Sequence, residues 1–116
     1  MDIYHGWCNL KDGVRDTEFA AAFNRYMSAL QRDGKIASFR LTRRKLGLGA
    51  SALGDFHFMI EFTDLAQLDA AFLTAAARRE PVESLHFGVN SLVKDVTFAL
   101  YRDFPDEVRE TGQEKF

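Results

Sequence analysis

The segment at residues 55–62, DFHFMIEF, constrains the fold of this chain more than any other. Phe56, Phe58, Ile60 and Phe62 alternate with His57, Met59 and Glu61. A period of two places the first set on one face of a pleated strand and the second set on the other. The all-apolar face must be buried, and a lone strand cannot bury it. A sheet with a second layer packed against that face is therefore required. The opposite face, with His, Met and Glu, suits a half-buried surface.

The flanking segments supply the sheet and the layer. Residues 2–10 read as a strand closed by the turn pair Asp12-Gly13. Asp16 is suited to cap a helix that runs to about Asp33, with Phe19, Phe23, Met27 and Leu30 on one face and Tyr26 flanking that stripe. Gly34 stops it. Residues 35–46 read as a second strand, and Gly47, Gly49 and Gly54 mark a loop. Asp64 and Gln67 resemble a capping box opening a second helix with Leu65, Leu68, Phe72 and Ala75 on its apolar side. Pro81 ends that helix or begins a short further helical turn through Leu85 to Val89. Residues 92–103 form the last strand, in which Val96, Phe98 and Leu100 alternate with Asp95, Thr97, Ala99 and Tyr101.

The order β-α-β-β-α-β predicts one α+β domain of ferredoxin-like layout over residues 1–104, followed by a charged tail at 105–116. Its four-stranded antiparallel sheet has the first and third strands central and the helices on one face. The bare face is mixed, which favours sheet-to-sheet pairing of two copies as a homodimer.

Composition limits the partners. The net charge is −2 and the pI about 5.9, so nucleic acid and anionic membranes are not expected as partners. No apolar run approaches the roughly 20 residues that span a bilayer. The single cysteine, Cys8, forms no internal disulfide, which points to the cytoplasm. Phe occurs 11 times in 116 residues. Such a surplus of rings without polar tips predicts a second apolar surface, either a dimer interface or a ligand pocket.

The stretches MDIYHGW at 1–7, TRRKLGLG at 42–49 and DVTFALYRDF at 95–104 resemble a bacterial family of unknown function in the dimeric α+β barrel superfamily. That superfamily includes antibiotic-biosynthesis monooxygenases, stress-responsive barrel proteins and several haem-binding relatives. The resemblance implies the fold and dimerisation, and carries no catalytic residues.

The candidate chemistry lies on the strands. His5 and His57 fall on neighbouring strands, and with Glu61 they would make a three-ligand metal set. The three histidines, however, have no short ligand spacing, so no metal or other cofactor is expected. As proton-transfer groups, His5, His57 and Tyr101 are the catalytic candidates, because imidazole titrates near neutral pH. Trp7, Asn9, Arg40, Met59 and Glu61 are the ligand-binding candidates, with Arg40 or a histidine holding a carboxylate at a pocket mouth. Residues 40–49 combine Arg40, Arg43, Arg44 and Lys45 with glycines. An anion site is conceivable there, but no P-loop pattern follows, and a solvated basic edge strand accounts for the charges. Phe56-His57-Phe58-Met59 has a likeness to an RNA-recognition strand, but Gly54-Asp55 and Glu61 occupy positions where that motif needs a basic residue and a ring.

The function expected is the binding of an apolar, aromatic or acyl molecule between sheet and helices, where Ala20-Ala21-Ala22 and Ala75-Ala76-Ala77 leave room. The alternatives are a cofactor-independent monooxygenase or isomerase using a pocket histidine, and an interaction or regulatory domain without a ligand.

Overall fold

The computed structural model describes residues 1–105 and Val108. The expected charged tail at 105–116 otherwise lies outside the described residues. The elements run β1 (Asp2–Leu10), α1 (Asp16–Arg32), β2 (Ser38–Arg43), β3 (Phe56–Phe62), α2 (Leu65–Ala76), α3 (Val82–Asn90) and β4 (Val93–Arg102). The sheet is antiparallel, in the order β2-β3-β1-β4. The first and third strands are central, as the element order requires. Among the described residues no helix is long and apolar enough to cross a membrane.

Register sets the two faces. Gly6 lies opposite Phe58 on β3 and Phe98 on β4, and His5 lies opposite Met59 and Ala99. Tyr4, Cys8, Phe56, Phe58, Ile60 and Phe62 therefore share the face that packs against the helices. The apolar stripe of α1 is buried there in full, with Phe19, Phe23, Tyr26, Met27 and Leu30 packed on Ile60, Phe62 and Phe56. Phe58 lies across Gly6 so closely that a Cβ at that glycine would fall on the edge of the ring. The glycine is the hollow that seats the ring.

Three local differences from the sequence expectation have physical causes. The strand expected over 35–46 is confined to Ser38–Arg43. At its start, Gly34 has φ +69°, and the N–H groups of Gly34 and Lys35 donate to Gln31 and Leu30 carbonyls, so those residues close α1 instead. At its end, pairing with β3 stops at Arg43, and Leu46 beyond it turns the chain at φ +55°. Asp16 does not cap α1. Arg15 holds the cap position, and the Asp16 carboxylate receives Arg43 Nη1 at 2.6 Å. The capping of α2 holds, with Asp64 Oδ1 accepting from the Gln67 N–H at 2.8 Å and Gln67 Oε1 accepting from the Thr63 N–H at 2.7 Å.

The helices cover β1 and β3 and leave the same face of β4 open. Phe98 and Leu100 are 51% and 52% exposed although they point to the helix side. A wedge of space therefore opens between β4 and the helix pair α2 and α3.

Candidate functional site

The eight residues singled out from sequence all lie on the strands, and all lie on the face away from the helices. The period of two requires it. His5, Trp7 and Asn9 alternate with Tyr4, Gly6 and Cys8, and Arg40, Met59, Glu61 and Tyr101 fall in register with them.

On that outer face the aromatic residues do converge. His5 Nδ1 and His57 Nε2 are 2.9 Å apart, with ring planes within 13°. Trp7 stacks on His57 at 4.5 Å and 4°, and Tyr101 meets His5 edge-on at 5.1 Å. One imidazole donates its N–H and the other accepts, so the bond exists only while at most one ring is protonated. Burial lowers the pKa of both rings, and His5 lowers that of His57 further. Because both folded pKa values lie below the unfolded one, the pair stabilises the fold fully above about pH 6.5. That contribution is lost as pH falls through this value, and the loss levels off below the folded pKa values. The melting temperature of the wild type should therefore fall more between pH 7.5 and about pH 5 than that of His57→Gln. Equal pH profiles would show that the pair is not the source.

Two other outer-face candidates, Asn9 and Glu61, are engaged structurally. Asn9 donates its Nδ2 to Asp95 and accepts the Asp55 N–H at 3.0 Å. Glu61 accepts from the Ser38 hydroxyl at 2.8 Å. Glu61 thus pairs with Ser38 and lies opposite Ile3, and does not complete a triad with the two histidines. Among the described residues no group of three or more His, Cys, Asp or Glu is placed to hold a metal. Burial, with Asp95 adding to it, pushes the Cys8 thiol up to about 11, as befits a buried hydrophobe and not a nucleophile. In the segment at 40–49, Arg43 pairs with Asp16, and Arg44 Nη2 donates to the Ala50 and Leu53 carbonyls. Of its four cations, Arg43 therefore ties the end of β2 to α1 and Arg44 ties the loop together.

The cavity lies on the opposite side of the sheet. It has a volume of about 200 Å³ and opens between α2, α3 and β4. Rings form much of its wall. Tyr4 stacks on Phe98 at 5.1 Å and meets Phe72 edge-on at 5.2 Å, and Phe58 packs against Phe23 at 5.3 Å. Ala71 and Ala75 line it from α2, so the second alanine cluster does leave room. The Phe surplus is explained here, because the outer face of the sheet carries no phenylalanine.

This geometry corrects one expectation. Arg40, His5, His57 and Tyr101 were expected to hold the polar end of a ligand between sheet and helices, but they stand across the sheet from that space. The polar groups that line it are Tyr4, Tyr26, Cys8, His86 and Asn90. Tyr26 and His86 are neighbours, with ring centroids 5.7 Å apart. Sequence reasoning missed these as site residues. The available signal was Tyr26 beside the apolar stripe of α1, where a phenol hydroxyl is brought into the interior with the ring.

The model of one protein family, described as a family of unknown function, matches residues 1–116. No curated protein matches. Among solved structures, the chain is similar to the Arabidopsis thaliana protein At3g17210, at 11% identity and a TM-score of 0.68, covering 89% of this chain and 95% of that one. It is similar to SnoaB, a cofactor-independent oxygenase from Streptomyces nogalater, at 13% identity and a TM-score of 0.66, covering 97% of each chain. It is also similar to a dimeric ferredoxin-like protein of unknown function from Jannaschia sp. CCS1, at 15% identity and a TM-score of 0.64, covering 89% of this chain and all of that one. At these identities the likeness establishes the ferredoxin-like fold.

Proposed function

The chain belongs to DUF6614, a family of unknown function, and for this member we propose the binding of an apolar, ring-bearing small molecule in the cavity between sheet and helices. The observation that carries this reading is the cavity itself: about 200 Å³ of space walled by aromatic and aliphatic side chains and open at one side. Apolar concavities with a few polar groups are the usual form of small-molecule sites. Saturable binding of an environment-sensitive apolar dye tests it. Ala75→Phe, on the half-buried wall of α2, should abolish binding by filling the space. Undiminished binding by that variant would move the site elsewhere.

The same proposal includes a homodimer paired through the outer sheet faces. Ile3, Trp7, Met59 and Ala99 give that face an apolar centre, and the similar Jannaschia protein is described as dimeric. Sedimentation at micromolar concentration should give twice the 13.2 kDa of one chain, and Trp7→Glu should shift it to monomer. A wild type that sediments at 13.2 kDa removes the claim. The buried lone cysteine fits a reducing compartment, and we place the protein in the cytoplasm.

A second reading is catalytic. SnoaB is a cofactor-independent oxygenase, and chemistry of that kind needs a base beside the bound molecule. His86 is the histidine that lines the cavity. An enzyme built on this site would use His86, and not His5 or His57. Consumption of oxygen with a bound phenolic compound, lost in His86→Gln, is the expected result of that reading.

A further inference from the structure

We infer that the cavity selects an uncharged, oxygen-bearing aromatic molecule, a phenol or ketone on a fused ring system, and rejects carboxylates; this rests on the cavity reading above. The lining contains no Asp, Glu, Lys or Arg. Arg40 is on the other face of the sheet, and Arg43 and Arg44 are held by Asp16 and by loop carbonyls. A carboxylate inside would have no cation to meet it, and an unpaired buried charge is among the most costly arrangements in a protein.

The groups that are present match a neutral oxygen. Tyr26 is only 7% exposed, and among the described residues its hydroxyl has no hydrogen-bond partner. The hydroxyl of Tyr4 has none either. Tyr4 is only partly buried, but Tyr26 is enclosed, and buried hydroxyls are nearly always paired, so the Tyr26 hydroxyl calls for a partner that enters with the ligand. Both phenols are protonated at neutral pH, and burial moves them further from ionisation, pushing Tyr4 up to about 12 and raising Tyr26, with Glu83 adding to the latter. Each therefore offers an O–H donor and lone pairs, which suit a carbonyl or hydroxyl oxygen. Size fixes the scale of the ring system. An apolar cavity of about 150 Å³ takes benzene, so about 200 Å³ suits two fused rings. Walls that already place Tyr4 flat on Phe98, within 14°, favour a planar occupant.

Three naphthalene derivatives of matched shape test this by calorimetric titration at neutral pH: naphthol, methylnaphthalene and naphthoate, each substituted at the same ring position. Naphthol should bind at least about tenfold more tightly than naphthoate. Tyr26→Phe or Tyr4→Phe should weaken naphthol by about 3–10-fold, the yield of one net hydrogen bond, and leave methylnaphthalene unchanged. Neither variant should melt below the wild type, because each removes an unpartnered hydroxyl, so loss of fold cannot imitate the result. Naphthoate binding as tightly as naphthol would overturn the inference and leave the cavity reading standing. Naphthol affinity unmoved in both variants would overturn the role of the hydroxyls. If none of the three binds, the cavity reading fails and the inference fails with it.

Discussion

Replacing Phe19 by alanine should lower the unfolding free energy by about 3–5 kcal/mol, the range for deleting a fully enclosed ring. Phe19 is 0% exposed. It stands at the first turn of α1 and meets Phe56 edge-on at 5.1 Å and Phe23 at 6.2 Å. Cys8 is sealed beneath the same cluster. None of these neighbours can move in to fill the space, because strand and helix backbones hold them. Phe58→Ala should cost less than Phe19→Ala. Both rings border the cavity, but Phe58 is only half-buried where Phe19 is wholly enclosed, so part of the Phe58 surface has no packing partner to lose. Urea unfolding of both variants decides the order. A Phe58 loss equal to or above that of Phe19 would show that the cavity is collapsed in solution.

Gly6→Ala is the second large effect, and it acts by overfilling. The added methyl group would fall on the edge of the Phe58 ring, which is held by Phe23 and faces Phe98. The ring must tilt into the cavity or the two central strands must separate. The cost should reach or exceed the top of the usual range for overpacking, about 1–3 kcal/mol. The diagnostic is its dependence on the ring. In a Phe58→Leu background the same Gly6→Ala change should cost much less, giving a coupling of about 0.5–3 kcal/mol between the two sites. Equal costs in both backgrounds would mean that the glycine is needed for another reason. Because the displaced ring would enter the cavity, Gly6→Ala should also reduce dye binding, which links this packing feature to the proposed function.

The two sides of the sheet have separate roles, and that separation is the main consequence for function. The outer face brings His5, Trp7, His57 and Tyr101 together, and the proposed partner copy would cover it. The inner face makes the cavity. A variant at His57 should therefore alter the pH dependence and association of the protein while leaving small-molecule binding intact. A variant at Tyr26 should do the reverse.

The sequence by itself determined the order of the four strands and of the first two helices, the central position of the first and third strands, and the division of side chains between the two sheet faces; the third helix, Val82–Asn90, it left as one of two alternatives. The alternation of Phe56, Phe58, Ile60 and Phe62 against His57, Met59 and Glu61, and the spacing of Phe19, Phe23, Met27 and Leu30, are local and periodic, so they are legible without coordinates. The meeting of His5 and His57 was legible as well, because neighbouring antiparallel strands bring such residues within reach. Only the tertiary structure decided which face borders the empty space. Period assigns residues to two faces, but how far the helices cover the sheet depends on the packing of α1, α2 and α3, and these leave β4 bare. That is why polar strand residues drew attention as ligand contacts while Tyr4, Tyr26 and His86 did not. Their approach from β1, α1 and α3 to one cavity joins residues far apart in the chain, and no local pattern encodes a contact of that kind.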